Sequence, residues 1–418
     1  MIKFTHTADI HFGMENYGKI DPETGIHSRL LDFNNALSFC VNYSIEQNVD
    51  FFLFCGDAYK TTNPTPTQQK LLFSALIKLY KANIPVIIIV GNHDNPASFG
   101  KVHSLDLFSN LPIDGFHVIS KPKILNLTTK NGPVQIVGIP WPTRNNLSIS
   151  EKHTTKSYSD ITDYISSTVS EIIASFANQL NPQIPAILAG HLTVSSGLFS
   201  GSEKRAIFGS DPTFLPSQLA IKPFDYVALG HLHRYQNLNP NGYPAIIYPG
   251  SIERIDFGER KEQKGFCLVT INNTPDINLE NKTNFEFIKT PTRNLIQIEV
   301  KLQANKDQTT QILEELDKHD LNGAIIKILY HVPENEKDKI DLQIIQKKCE
   351  PAMHLVGIIP IRENQVRERR SDLKISMDFE TLIGAYLDTK PDLKNRKQEL
   401  VDKALVLFEE SKINQIEE

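Results

Sequence analysis

The sequence predicts an α/β fold built on a sheet with parallel strands, and three observations carry that reading. Short, almost purely apolar runs recur through roughly the first 235 residues, stretches with helical spacing separate them, and each run ends on Gly or Ala followed by Asp, Asn or His. Strand, helix, strand, helix, strand is the order expected of a parallel α/β arrangement.

The first run, IKFTHTADIH, ends at Asp9 and His11. LLDFNNALSFCVNYSIEQ, from Leu30 to Gln47, has helical spacing. The second run, VDFFLFCGD, ends at Asp57, and the helical pattern of PTQQKLLFSALIKLYKAN follows it. The third, IPVIIIVGNHD, holds five consecutive β-branched residues, Val86 to Val90, and so predicts a strand buried on both faces. It stops at Asn92, His93 and Asp94. IPAILAGH then ends at His191, and DYVALGHLH ends at His231 and His233. In open α/β sheets ligands bind beyond the carboxyl ends of the strands, where all five polar clusters fall.

Composition narrows the function classes. The chain has 418 residues, 40% apolar and 22% charged, enough for two or three domains. Its net charge of 44 − 49 = −5 argues against a globally basic nucleic-acid binder, so any such contact must be local, metal-assisted or shared with a partner. Cys40, Cys55, Cys267 and Cys349 are widely spaced without a CxxC pair, which predicts reduced core thiols in a cytoplasmic protein. No signal peptide or uninterrupted apolar span of membrane length is present, which predicts no membrane partner.

A single GNHD reads as a tight turn, since Gly, Asn and Asp are common turn residues. Five such endings gather five His, three Asp and one Asn, and His has no special merit in a turn. Crowding imidazoles and carboxylates is unfavourable without a cation, whereas a divalent ion neutralises the carboxylates and uses the imidazole lone pairs. Oxygen and imidazole ligands without thiolate suit Mn, Fe or Zn, and the amide oxygen of Asn92 favours Mn. The donors exceed the needs of one ion; two ions roughly 3.5–4 Å apart, sharing a carboxylate, would use them all. Such a pair clamps the attacking and leaving oxygens of an in-line displacement, so the chemistry predicted is phosphoester hydrolysis.

The ordered motifs D-x-H, GD, GNHD, GH and GHLH resemble the calcineurin-like metallophosphoesterase superfamily. Within it, TADIHFG, and GHLHRYQ followed by YPGSIERIDFGE, resemble the SbcD family, the nuclease subunit of the SbcCD double-strand-break repair complex. The resemblance implies a metallophosphoesterase β-sandwich flanked by helices, with a smaller α/β capping domain and a C-terminal helical tail. It implies a nuclease domain over 1–275, a DNA-access cap over 285–365, and helices over 366–418 that bind the ATPase partner. It puts Asp9, His11 and His233 on one ion and Asn92, His191 and His231 on the other, with Asp57 bridging. His93 would protonate the leaving oxygen or steady the phosphate, and Asp94 would hold the His93 ring. The activity implied is that of a two-metal, Mn-dependent DNA nuclease, a 3′–5′ double-strand exonuclease and single-strand endonuclease. Its implied partners are DNA ends, hairpins and single strands, an SbcC-type coiled-coil ATPase and a second copy of the chain. A generic metallophosphatase or cyclic-nucleotide phosphodiesterase shares the five motifs, and an end-tethering scaffold with a degraded site is the non-enzymatic alternative.

One departure stands out. Many relatives place a second phosphate-contacting His three residues after the bridging Asp, where this chain has Lys60. Lys60 reads as a solvated lysine or a point-charge contact to phosphate. His6, His27, His103, His117 and His153 read as core or surface residues, with His6 hydrogen-bonded inside the first strand. Lys204 and Arg205 sit in a small-residue loop suited to a nucleic-acid backbone or to solvent. YPGSIERIDFGERKEQKGF, with Arg254 and Arg260, reads as a hairpin, and the resemblance places it near the site.

After the linker-like NNTPDINLENKTNF, NLIQIEVKL, TTQILEELDKH, AIIKILYHV, DLQIIQKKC and HLVGIIPI predict a small β-α-β-α-β unit. Arg367, Arg369, Arg370 and Lys374 then form a basic run. Phe379, Leu382, Ile383, Tyr386 and Leu387, and Leu400, Ala404, Leu407 and Phe408, mark two amphipathic helices separated by Pro391.

Overall fold

A computed structural model describes residues 1–95, 102–109, 114–143, 147, 158–201, 211–272, 282–333, 336–362, 379–388 and 390–417. Lys204, Arg205, Arg367, Arg369, Arg370, Lys374 and His153 lie outside them. The strands are β1 (Ile2–Thr7), β2 (Phe51–Phe54), β3 (Val86–Ile89), β4 (Phe116–Ile119), β5 (Lys123–Thr129), β6 (Gly132–Ile139), β7 (Ala186–His191), β8 (Thr193–Val194) and β9 (Thr213–Phe214). They continue with β10 (Tyr226–Gly230), β11 (Gln236–Asn237), β12 (Ala245–Tyr248), β13 (Gly265–Ile271), β14 (Thr283–Lys289), β15 (Leu295–Lys301), β16 (Ile325–His331) and β17 (His354–Ile361).

Two six-stranded sheets form the main body, in the orders β14-β13-β1-β2-β3-β4 and β11-β12-β10-β7-β6-β5. In the first, β1 to β4 run parallel and β13 returns antiparallel to β1. In the second, β6, β7, β10 and β12 run parallel. Phe4, Leu53 and Ile87 from one sheet meet Ile136, Ile187, Tyr226 and Ile247 from the other in one buried core. This is why the strand runs lack alternation: both faces of each sheet are covered. The outer face of the first sheet carries helices α1 (Ser28–Glu46) and α2 (Pro66–Lys81), through residues such as Phe33, Leu37, Leu72 and Leu76. α2 opens on a capping box between Thr65 and Gln68, with Pro66 at its first turn. The short α3 (Asp106–Ser109) precedes β4, and α4 (Tyr158–Ala177) covers the second sheet through Ile165, Val169 and Ile173. α5 (Pro216–Leu219) completes this part. The predicted sandwich flanked by helices is what forms.

YPGSIERIDFGERKEQKGF is not the hairpin that its sequence suggests. Ser251 bridges to Ala8, a 3₁₀ turn spans Phe257–Glu259, and the chain then enters β13. The physical reason is that side chains, rather than cross-strand pairs, hold this segment. Arg254 bonds the Thr292 hydroxyl and the Arg293 and Glu262 carbonyls.

Residues 295–361 build the β-α-β-α-β unit, with parallel β15-β16-β17 and helices α6 (Gln308–Leu316) and α7 (Leu342–Lys348). It has its own core around Ile298, Ile312, Leu316, Ile328 and Ile345. Asp32 on α1 takes hydrogen bonds from Arg29 and Arg293, and Arg293 also bonds the Gly323 carbonyl, which ties this unit to the sandwich. At the chain's end α8 (Phe379–Asp388) and α9 (Lys397–Glu417) pair, with the Phe379 and Phe408 rings stacked 3.9 Å apart. Leu387 and Val401 are buried, whereas Leu407, placed in the apolar stripe by its spacing, is exposed. The stripe of α9 runs instead through Val401, Ala404 and Phe408, because α8 covers only that side.

All four cysteines are buried free thiols. Among the described residues, no helix is long and apolar enough to cross a membrane.

Candidate metal centre

The five strand-end motifs converge because the strands that carry them are parallel within each sheet and the sheets pack face to face. β1, β2 and β3 lead into Asp9, His11, Asp57 and Asn92, while β7 and β10 lead into His191, His231 and His233. The backbone turns sharply to aim them inward. Eight non-glycine residues among those described have positive φ, and four are Asp9 (54°), His11 (52°), Asp57 (59°) and His231 (106°). Left-handed backbone costs an L-residue about 1–2 kcal/mol. Its concentration here means that the surroundings force these conformations, a pattern that marks functional sites. Two glycines let the strand ends approach: a Cβ at Gly91 would sit 2.1 Å from Asp57 Oδ1, and one at Gly230 would sit 2.0 Å from the Cys55 carbonyl oxygen.

Three ligand groups have their donor atoms within 4.8 Å of one another: Asp9, His11 and His233; Asp9, Asp57 and His191; and His11, Asp57 and His93. His11 Nε2 and His233 Nε2 are 3.0 Å apart. Asn92 Oδ1 lies 3.0 Å from His191 Nε2 and 3.2 Å from His231 Nδ1. Asp57 Oδ2 sits between these sets, 3.4 Å from His191 Nε2 and 3.6 Å from His11 Nε2.

The imidazoles are oriented from behind. His191 Nδ1–H donates to the Cys55 carbonyl at 2.7 Å, which turns Nε2 into the cluster. His233 Nδ1 bonds Glu259 Oε1 at 3.0 Å, which turns its Nε2 toward His11. His231 is reversed: Nε2 lies 3.5 Å from Asp211 Oδ2, and Nδ1 faces Asn92.

The electrostatics match a cation site. Asp9 and Asp57 are buried. Burial pushes the Asp57 carboxyl up, but His191, His11 and His93 outweigh it and hold Asp57 well below the usual carboxylate range. Burial likewise lowers His191, yet Asp57 and Asp9 raise it to about 9. Burial holds His11 well below its ordinary value against the pull of Asp57, and it lowers His231 also. For His11 and His231 this is the neutral, metal-binding form, whereas His191 must give up a proton before it can ligate an ion. Donors about 2.1 Å from one ion and at right angles to each other stand roughly 3.0 Å apart, the spacing of the His11 and His233 nitrogens. The donor set therefore fits divalent ions.

The family model for calcineurin-like phosphoesterases matches residues 2–235, more than half of the chain. The chain belongs to this family. Calcineurin-like phosphoesterases are hydrolases of phosphoesters that typically bind two divalent metals, and the Asp/His groups of this chain could hold them. Among solved structures, the chain is similar to a dimetal phosphatase from Danio rerio, at 10% identity over 64% of this chain and 92% of that one, with a TM-score of 0.38. A protein of Thermus thermophilus is similar at 12% identity over 68% and 98% of the two chains, with a TM-score of 0.37.

His93 and Asp94 part company in this phosphoesterase. The His93 backbone N–H donates to Asp57 Oδ1 at 2.9 Å, and its ring Nδ1–H donates to the Lys60 carbonyl at 2.8 Å. The ring stands T-shaped to His11, with centroids 5.0 Å apart. Asp94, expected to hold that ring, is buried and turned elsewhere. Its carboxylate accepts from the backbone N–H groups of Asp57 (2.8 Å), Ala58 (3.0 Å), Tyr59 (3.4 Å) and Gly91 (3.1 Å). The reason is geometric: a carboxylate one residue after His93 in a tight turn faces the loop backbone, where four donors converge. Burial and nearby Asp57 push Asp94 up to about 7, against the pull of those amides.

His6 is held inside the sandwich by the Tyr226 hydroxyl and the Leu229 carbonyl, as its place in the first strand suggests. His27 caps α1 instead of reaching the site. Lys60 is exposed and reaches His93 only through its backbone carbonyl.

Four residues beside the cluster escape sequence reasoning. Glu259 and Lys264 are buried behind His233, Asp211 stands behind His231, and the Trp141 ring lies 4.9 Å from that of His231. Trp141 left a faint signal, since IPW closes β6 as the other motifs close their strands; Glu259, 26 residues from His233, left none.

Proposed function

We propose that the chain is a two-metal DNA nuclease of the SbcD kind. It hydrolyses phosphodiesters with Mn as its ions and works with an SbcC-type ATPase, as a homodimer. The observation that carries the hydrolytic reading is the position of Asp57, whose Oδ2 lies within 3.6 Å of an imidazole nitrogen of each ligand set. Asp9, His11 and His233 would hold one ion and Asn92, His191 and His231 the other, with Asp57 shared. When bound, such ions lower the pKa of water and stabilise charge developing on phosphoryl oxygens.

The chain's own groups supply the rest. The His93 backbone N–H fixes Asp57, and the Lys60 carbonyl holds Nδ1–H, which leaves Nε2 as the atom that would carry the second proton of the imidazolium form and hand it to the leaving oxygen, returning the ring to neutral. Asp94 ties the loop after β2 to the loop after β3, so that Asp57 and Asn92 keep their relative positions. The preference for DNA rests on the motif resemblance to SbcD, on the small three-stranded unit tied to α1 as a cap, and on the helical pair at the end of the chain as a grip for the ATPase.

The test is degradation of linear duplex DNA with Mn by wild type, His93→Ala and Asp57→Ala, with bis-p-nitrophenyl phosphate in parallel. Wild type cuts DNA, His93→Ala stops cutting but still binds Mn, and Asp57→Ala loses both. If wild type hydrolyses only the small diester, even with an SbcC-type partner and ATP, the nuclease reading fails and a generic phosphodiesterase takes its place.

A further inference from the structure

We infer that Glu259, clamped by Lys264, is a positioning residue that fixes the ring of His233 and thereby sets the affinity of one of the two metal sites. This rests on the dimetal reading above and adds to it a residue outside the ligand set.

Glu259 sits at the end of the 3₁₀ turn that folds back over the centre, and it is wholly buried. Its two oxygens have separate tasks. Oε1 accepts from His233 Nδ1 at 3.0 Å, while Oε2 accepts from the Ile255 backbone N–H at 2.8 Å and pairs with Lys264 Nζ at 2.9 Å. The Lys264 ammonium is also buried, and it donates to the His233 backbone carbonyl at 2.8 Å and to Glu262 at 3.0 Å. Lys264 thus holds both the main chain of His233 and the carboxylate that orients its ring.

With Nδ1–H engaged, the lone pair of His233 is on Nε2, 3.0 Å from His11 Nε2 and inside the group formed with Asp9. The carboxylate also raises the basicity of the ring, a common arrangement behind metal-ligating histidines. The three ring anchors differ in strength. His191 leans on a neutral carbonyl, and His231 stands 3.5 Å from a carboxylate. His233 has an ionised, fully buried partner at hydrogen-bond distance, and such charge-assisted bonds are about twice as strong as neutral ones. Loss of Glu259 should therefore weaken one site and spare the other.

The experiment is titration of the metal-free full chain with MnCl₂ by calorimetry, with Mn EPR as a second readout. The chains compared are wild type, Glu259→Ala, Glu259→Gln, His233→Ala, His191→Ala and the double variant Glu259→Ala/His233→Ala. Wild type takes up two Mn per chain. Glu259→Ala loses about 10- to 100-fold in the step that His233→Ala also loses, and it leaves the step lost in His191→Ala within about threefold. Glu259→Gln, which still offers an oxygen to Nδ1–H, recovers part of that loss; it is also the variant that carries the test if the Ala chain does not fold. In the double variant, removal of Glu259 adds nothing to the His233→Ala loss. Equal weakening of both steps, or an added loss in the double variant, would make Glu259 a general structural anion and overturn the inference. Unchanged affinity would overturn it as well. A wild type that does not bind two Mn would instead overturn the dimetal reading itself, so the two failures are distinguishable.

Discussion

Replacing Asp94 by Asn separates two roles that its place in GNHD leaves confounded. The carboxylate meets the N–H groups of Asp57 and Gly91 through Oδ2 and those of Ala58 and Tyr59 through Oδ1. Asn is isosteric but has one acceptor atom, so whichever way the amide turns, two backbone donors face an NH₂. A buried donor left without an acceptor costs about 1–3 kcal/mol. The expected loss is therefore roughly 2–6 kcal/mol, or a fall in Tm of at least about 4 °C for a domain of this size. Thermal melts of the metal-free protein measure it, since no ion then masks the loops. Mn binding should weaken together with stability, because Asp57 sits on one of the braced loops. In a His93→Ala background the loss of stability should persist in full. If instead the melting temperature is unchanged and the effect on activity vanishes once His93 is gone, Asp94 acts through the His93 ring and does not brace the loops.

Other outcomes follow from the same contacts. Gly91→Ala puts a Cβ 2.1 Å from Asp57 Oδ1 and 2.4 Å from the Asp57 backbone nitrogen, so both the carboxylate and its loop must move; stability and Mn binding should fall together, as measured by thermal melts beside Mn titration. His6 is depressed to about 3 by burial, against an ordinary value of 6.5, so the unfolded chain takes up its proton first and stability falls as pH drops below 6.5. At pH 5 that amounts to about 2 kcal/mol. Denaturant midpoints at pH 7 and pH 5 should therefore differ less for His6→Gln than for wild type, and an equal difference would rule out His6 as a source of acid sensitivity. Asp32→Asn takes the nearer carboxylate from the buried Arg29 guanidinium, which keeps the Arg254 carbonyl and Glu253 at 3.8 Å, and loosens Arg293, with an expected cost of about 1.5–3 kcal/mol. Limited proteolysis should then cut first around the link at 290–295, and an unchanged cleavage pattern would show that other contacts hold the three-stranded unit.

Local chemistry made much of the site readable in advance. Asp9, His11, Asp57, Asn92, His191, His231 and His233 each follow an apolar run, and a parallel strand can deliver such residues only at its carboxyl end. The buried runs themselves required cover on both faces, and the helices at 28–46 and 66–81 announced themselves through spacing. The β-α-β-α-β unit was legible for the same reason.

What periodicity could not fix were contacts between residues far apart in the chain. Asp94 looked like the partner of His93 because it is adjacent, but a side chain in a tight turn is aimed by backbone φ and ψ, and here it meets amides more than 30 residues upstream. Glu259 and Lys264 looked like ordinary charges in a hairpin, and only the return of residues 249–264 across the sandwich brings them behind His233. The sequence by itself determined the five strands that end in donors and the three of the small unit, because hydrophobic patterning and residue chemistry act over a few residues. The tertiary structure alone decided which imidazole nitrogen faces inward and which carboxylates stand behind the rings, because these depend on through-space distances of about 3 Å that no local rule encodes.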